Sequence, residues 1–354
     1  MWRLGVVWEL GASFGSWELN HLHQQIRRTI RRHGLCPPGA RLLVGLSGGS
    51  DSVALVLLLQ ELAQPDGFAL VSLAHLNHCL RPSAARDEEF CRGFAERVGL
   101  PIAVESIDVA SYGQTQRLSV EGAARRLRYE FLHRAAAAAS ADHIAVGHTR
   151  DDQAETFLLK LIRGAGLTGL GGIYPRRGKV VRPLLDVSRS ELRAYLESRG
   201  QSWVDDETNE DLDNPRNRIR HRVLPELDRA YGAPASPAIA RAAAIVREDG
   251  QWLDELSDRR FAAIVLRGEK GLEIDVNTLE AEPAPVRRRV VLAALRMASP
   301  EREIGFDHVE AALSVAAGDS AGADLPGSRV ELRRGKLVLM GRYFEGRPST
   351  GPSK

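Results

Sequence analysis

The chain has 354 residues, a formal net charge of +2, 44% hydrophobic and 27% charged residues, which suits two or three domains with ordinary folded cores. That balance excludes wholesale disorder and a histone-like polycation. Five lysines stand against 43 arginines, so arginine abundance alone says nothing of nucleic acid and only clustering counts.

In chain order, residues 1–17 read as an extension and 21–33 as a basic amphipathic helix stopped by Gly34, with Pro37 and Pro38 beyond. Residues 41–46 (RLLVGL) form a short apolar run entering a Ser-Gly-Gly-Ser-Asp turn, the pattern of a buried strand. Helix 52–62, strand 69–75, helix 84–98, strand 101–107, helix 119–139, strand 143–148 and helix 151–163 follow. A fifth strand over 179–185 precedes a helix over 188–199. This alternation predicts an α/β fold: a doubly wound, mostly parallel, Rossmann-like sheet covered on both faces.

After Trp203 the rhythm breaks. Residues 205–213 carry six acids and no base, whereas 216–222 (RNRIRHR) carry four arginines and no acid, a reversal that marks a domain boundary. Helices over 236–266, 283–298 and 306–317, a short strand over 272–276 and a small hairpin over 329–340 predict a mainly helical C-terminal domain. The resulting plan is an N-terminal extension and helix (1–35), an α/β catalytic domain (36–214), a helical domain (215–345) and a disordered tail (346–354). Cys36, Cys79 and Cys91 form no CxxC pair, which excludes a disulfide framework or a four-cysteine metal site. The longest apolar stretch, residues 53–59, is too short to span a bilayer, and the chain reads as cytoplasmic.

The strongest local signal is Ser47-Gly48-Gly49-Ser50-Asp51-Ser52 between a strand and a helix. Glycines let the backbone approach a ligand closely, and the free N–H groups of the helix start, beside serine hydroxyls, make an anion cradle. It is neither a Walker A loop nor GxGxxG, and a plain strand–helix turn would use similar residues. Its place at the carboxyl end of the first sheet strand favours the ligand site.

SGGxDS in this position resembles the signature of the PP-loop ATP pyrophosphatases, which cleave ATP to AMP and diphosphate while adenylating a substrate. Further motifs narrow the likeness: His75-Leu76-Asn77-His78-Cys79-Leu80-Arg81, Glu121-Gly122-Ala123-Ala124-Arg125-Arg126-Leu127-Arg128-Tyr129, the block from Gly147-His148 through Asp151-Asp152 to Glu155-Thr156, Arg182-Pro183-Leu184-Leu185, and Asp206-Glu207-Thr208-Asn209. In this order they resemble the tRNA(Ile)-lysidine synthetases, closely over residues 42–227 and more loosely over 237–340. Against the longer members of that family the chain reads as a short form without the second C-terminal domain.

The resemblance implies ATP and Mg²⁺ as cofactors, and isoleucine tRNA with a CAU anticodon and free L-lysine as partners, with no membrane. By family analogy it also implies a homodimer. The implied reaction adenylates O2 of the wobble cytidine and then replaces AMP by the ε-amine of lysine, so that the anticodon reads AUA rather than AUG. Ser47, Gly48, Gly49, Ser50, Asp51 and Ser52 would hold the nucleotide, with His75 and His148 beside it and Asp51 as the Mg²⁺ candidate. Arg125 and Arg128 share a helix face and suit phosphate oxygens, or make an ordinary solvated face.

Asp152 and Glu155, three apart at a helix start, suit the ammonium group of lysine, although first-turn acids stabilise any helix by about 0.3–1 kcal/mol. The implied catalytic set is Asp51, Arg125, Asp152 and Glu155, and Glu155→Gln is expected to keep adenylation and lose lysine transfer. Arg163, Arg216, Asn217, Arg218, Arg220 and Arg222 are the tRNA-binding candidates, the cluster's other reading being a basic helix start balancing the upstream acids. Other PP-loop chemistries, tRNA thiolation and amide formation, fit less well, since paired cysteines and a glutaminase domain are lacking. A catalytically silent RNA- or nucleotide-binding protein is disfavoured by the intact loop and acid pair.

Overall fold

The computed structural model describes residues 15–78, 84–116, 118–205, 211–268 and 270–341. The expected first extension up to residue 14, Cys79, Leu80, Arg81, the Asp206-Glu207-Thr208-Asn209 motif and the 346–354 tail lie outside the described residues. The chain divides into two compact units, Met1–Ile245 and Val246–Lys354.

The first unit holds helix α1 (Ser16–His33), strand β1 (Arg41–Gly45), α2 (Ser50–Asp66), β2 (Ala69–Asn77), α3 (Ala84–Arg97), β3 (Ile102–Ser106), α4 (Val109–Gln116), α5 (Val120–Ala138), β4 (His143–Ala145), α6 (Arg150–Ile162), α7 (Leu167–Leu170), β5 (Arg176–Arg177), β6 (Val180–Val181), α8 (Arg189–Ser198), α9 (Pro215–Arg218), a π-helical turn (Ile219–Val223) and α10 (Leu224–Tyr231). Its six-stranded sheet runs β3-β2-β1-β4-β6-β5. Only the β5–β6 pairing is antiparallel among the described strands of this sheet. Both faces of β1 are buried, so its residues alternate between two apolar layers rather than between core and water. Leu42 and Val44 pack with α1, α2 and α8, and Leu43 packs with Phe131, Leu132 and Ala135 of α5. The expected doubly wound sheet is therefore present.

Strand order steps outward from β1 through β2 to β3, then returns to place β4 on the other side of β1. The loops leaving the carboxyl ends of β1 and β4 therefore stand at the switch point of the strand order, the place where open α/β sheets hold ligands.

The second unit starts inside α11 (Ala235–Ile264), followed by β7 (Val265–Arg267), β8 (Leu272–Asp275), α12 (Val276–Glu280), α13 (Ala284–Ala298), α14 (Phe306–Ala316), β9 (Gly322–Leu325), β10 (Ser328–Arg333) and β11 (Lys336–Gly341). The expected hairpin turns at Arg334 and Gly335, both with positive φ (50° and 76°), as a type I′ turn requires. It is the middle of a five-stranded antiparallel sheet, β7-β8-β11-β10-β9, larger than a lone hairpin. Val290, Val291, Leu295, Val309 and Val315 of α13 and α14 cover it.

Candidate active site

The loop after β1 is braced from within. Ser52 Oγ donates to the Gly49 carbonyl at 3.0 Å and accepts the Ser47 backbone N–H at 3.1 Å. Gly48 sits at φ +88°, which only glycine adopts without strain, and its carbonyl accepts the Val204 N–H at 2.9 Å. Gly49 caps α2 with no side-chain bond. Among the described residues no hydrogen bond uses the backbone N–H of Gly48, Ser50 or Asp51. Three open donors at the N-terminus of a 17-residue helix form an anion cradle.

The carboxyl end of β4 presses against this loop. A Cβ on Gly147 would stand 3.0 Å from the Asp51 carbonyl carbon and oxygen and 3.2 Å from the Ser52 nitrogen. Backbone atoms cannot swing aside, so Gly147→Ala is expected to cost about 1–3 kcal/mol of stability in urea unfolding, by overpacking. Because it parts the two loops, it should also slow any reaction between them about tenfold or more. An alanine variant with unchanged rate and stability would contradict this contact. His148 follows, and its Nδ1 accepts the Arg182 Nε–H at 3.2 Å. His75 is buried at the end of β2; its Nδ1 donates to the Leu46 carbonyl at 2.9 Å, leaving the acceptor Nε2 buried without a partner.

Carboxylates and guanidiniums interlock beside the cradle. Asp152 uses Oδ2 to cap α6, accepting the Thr149 N–H at 2.8 Å and hydroxyl at 3.0 Å, while Oδ1 accepts from Arg189 at 3.1 Å. Arg189 also reaches Asp51 at 3.2 Å and Glu155 at 3.6 Å, and its backbone N–H donates to Asp151 Oδ2 at 2.7 Å. Glu155, wholly buried, accepts from Arg216 Nε at 2.9 Å and Arg220 Nε at 2.7 Å. Arg216 and Arg220 are one helical turn apart and turn inward, while Arg218 and Arg222 are exposed. Buried Asn217 donates to the Asp211 carbonyl at 2.8 Å and anchors the loop before them. The acid pair read for lysine and two of the arginines read for RNA are thus each other's partners in this structure.

Arg125 is exposed and stacks over Tyr129, its guanidinium carbon 5.3 Å from the ring centroid; Arg128 Nη2 lies 3.2 Å from His78 Nε2. Arg163 is exposed at the end of α6. Arg189, which ties Asp51 to both acids, carried no signal in the sequence beyond its place in a Ser188–Glu191 capping box. Among the described residues no group of three or more His, Cys, Asp or Glu gathers as a metal cage. Asp51, a single hard oxygen donor at the cradle, matches Mg²⁺, an ion completed by water and substrate phosphates.

Burial shapes the titration of the site. It holds His75 and His143 below the usual imidazole value and, helped by Arg128, pushes His78 down to about 4. His148 falls to about 3: burial and the charges of Arg182, Arg216 and Arg125 outweigh Asp152. Burial raises Asp51 against the pull of Arg189, whereas for Asp152 burial is outweighed by Arg189, Arg216 and the Thr149 N–H bond, and its value is lowered. Below about pH 6.5 these four histidines bind fewer protons in the folded chain than in the unfolded one, so their stabilisation is full above that pH and drains away as pH falls. Asp51, raised by burial, acts oppositely. The denaturant midpoint is therefore expected to drop from pH 7 to pH 5; a level or rising midpoint would contradict the buried neutral histidines.

Comparison with known proteins gives a family model, described as a PP-loop domain, that matches residues 19–227. A tRNA(Ile)-lysidine synthase of Geobacter sulfurreducens is 41% identical over 293 residues, covering 81% of this chain and 62% of that protein. The one from Symbiobacterium thermophilum is 37% identical, covering 94% and 70%, and the one from Chlorobaculum tepidum 34%, covering 79% and 84%. The chain thus spans about three-fifths of the Geobacter relative's length. Among solved structures, a U34-tRNA thiolase, NcsA, of Methanococcus maripaludis with its [4Fe-4S] cluster superposes with TM-score 0.56 at 19% identity, over 65% of this chain and 79% of that one; that likeness concerns the fold. No described helix is long and apolar enough to cross a membrane.

Proposed function

Because the chain belongs to the tRNA(Ile)-lysidine synthase family of PP-loop proteins, we propose that it is an ATP-dependent ligase that joins lysine to C2 of the wobble cytidine in the CAU anticodon of isoleucine tRNA. The observation that carries this reading is the pairing, beyond the carboxyl ends of β1 and β4, of an anion cradle with open N–H groups and a buried acid pair.

In the first step cytidine O2 attacks the α-phosphorus of ATP, a P–O bond forms, and the bond to diphosphate breaks. Negative charge on the departing group meets the N–H donors of Gly48, Ser50 and Asp51. Bound at Asp51, Mg²⁺ would neutralise phosphate oxygens. Arg125, exposed on its Tyr129 platform, suits an outer phosphate oxygen. His75, with its orphaned acceptor, suits a donor on the nucleotide.

In the second step the lysine amine forms a bond to C2 as the C2–O bond to AMP breaks. The ε-ammonium would take over positions on Asp152 and Glu155 that guanidiniums hold in this structure, and its proton would leave toward a carboxylate. Arg163, Arg218 and Arg222 are exposed and suit tRNA phosphates; Arg216 and Arg220 would reach RNA only by leaving Glu155, and Asn217 anchors the loop that leads into their helix. On this reading residues 36–214 are the catalytic domain, 215–345 serve tRNA, and the protein works in the cytoplasm as a homodimer.

The test is ATP–diphosphate exchange. Exchange that requires isoleucine tRNA with a CAU anticodon, and does not require lysine, is expected. Exchange independent of tRNA, or absent with it, would overturn the reading.

A further inference from the structure

Arg182 is a buried cation without a counter-ion. It is 4% exposed, and no carboxylate among the described residues lies within ion-pair distance. Its hydrogen bonds go to neutral groups: Nη1 donates to the Tyr174 carbonyl at 2.7 Å, Nη2 to the Tyr129 hydroxyl at 3.3 Å, and Nε to His148 Nδ1 at 3.2 Å. Buried guanidiniums normally bring a carboxylate, because an uncompensated buried charge is costly. This one is directed at an imidazole next to the anion cradle.

The chemistry of that bond has one solution. A guanidinium only donates, so Nδ1 must present a lone pair, and the single proton of the ring sits on Nε2. Protonating Nδ1 would set N–H against N–H. No hydrogen bond among the described residues uses Nε2 of His148. His148 therefore carries one free N–H, one residue beyond the Gly147 backbone that abuts Asp51.

We propose that Arg182 is a positioning residue that holds His148 as a neutral Nε2–H donor for a phosphate oxygen of ATP during adenylation, and that His148 does not serve as the base for lysine. This rests on the reaction proposed above. The charged groups acting on His148 are Asp152, which favours the imidazolium, and Arg182, Arg216 and Arg125, which oppose it; with burial they keep it neutral at physiological pH, its pKa being about 3. A fixed neutral donor costs no reorganisation when charge develops on the phosphate.

The test uses the full chain labelled with ¹⁵N-histidine. The wild-type long-range spectrum is expected to show His148 as the Nε2–H tautomer, unchanged from pH 8 to pH 5. Arg182→Met should release the tautomer, move the His148 titration upward toward the ordinary range, and cut kcat for diphosphate exchange about 100-fold with little change in KM for ATP. Arg182→Lys, which keeps a donor, should restore the tautomer and part of the rate. His148→Gln, whose amide N–H falls near Nε2, should retain more activity than His148→Asn.

A wild-type His148 protonated on Nδ1, or titrating near pH 6.5, would overturn the inference, as would an Arg182→Met spectrum identical to wild type. If Arg182→Met fails to fold, the wild-type spectrum and the Gln–Asn comparison still decide it. Absent exchange in a chain with the Nε2 tautomer would overturn the reaction and with it the donor role, whereas the wrong tautomer in an active chain would overturn this inference alone.

Discussion

Glu155→Gln is expected to lower the unfolding free energy by about 3–5 kcal/mol and to abolish lysine transfer. Glu155 is wholly buried and holds Arg216 at 2.9 Å, Arg220 at 2.7 Å and Arg189 at 3.6 Å. Removing its charge leaves Arg216 without a carboxylate among the described residues, while Arg189 and Arg220 keep Asp152 at 3.1 and 3.7 Å. The sequence reading, adenylation kept and transfer lost, therefore acquires a stability cost that spacing alone did not reveal. Urea unfolding of the variant measures it; a loss below about 1 kcal/mol would mean that the guanidiniums find other partners or water.

Asp51→Asn is expected to behave in the opposite way. Burial disfavours its ionised form even with Arg189 at 3.2 Å, so neutral asparagine should leave stability unchanged or improved. Diphosphate exchange should fall by about 100- to 1000-fold, the usual scale for removing one electrostatic group aimed at a reacting phosphate. Exchange at the wild-type rate would remove Asp51 from the machinery.

The strands and helices of the first unit were legible because two periodicities alternate along the chain. Runs such as Leu42-Leu43-Val44 can only be buried on both faces, and Gly-containing turns punctuate them. Helix α4 was missed because its sequence, VASYGQTQ, is short, buries only the narrow face of Val109 and Tyr112, and holds two weak helix formers, Gly113 and Thr115. The second sheet was read as a hairpin and a short strand because β7 has three residues and β9, GADL, opens on glycine; neighbouring strands rather than local propensity hold them extended. In the site, the glycine–serine loop and the acid pair were visible as local motifs. Their mates were not: Arg216 and Arg220 lie 61 and 65 residues from Glu155, and Arg189 lies 138 from Asp51. Charge density showed that arginines cluster there, but only the fold shows that alternate members turn inward to a buried acid. In the second unit Arg288, Arg289, Arg333 and Lys336 are ion-paired with Glu310, Asp254, Glu331 and Glu273.

The decisive measurement is the fate of labelled lysine. Incubated with ATP and isoleucine tRNA bearing a CAU anticodon, the chain should place one lysine on the wobble nucleoside for each AMP released, and Asp152→Asn should lose the label while still releasing diphosphate. AMP formed with no lysine on the nucleoside, or lysine found elsewhere on the tRNA, would contradict a site that joins an adenylating cradle to an amine-binding acid pair.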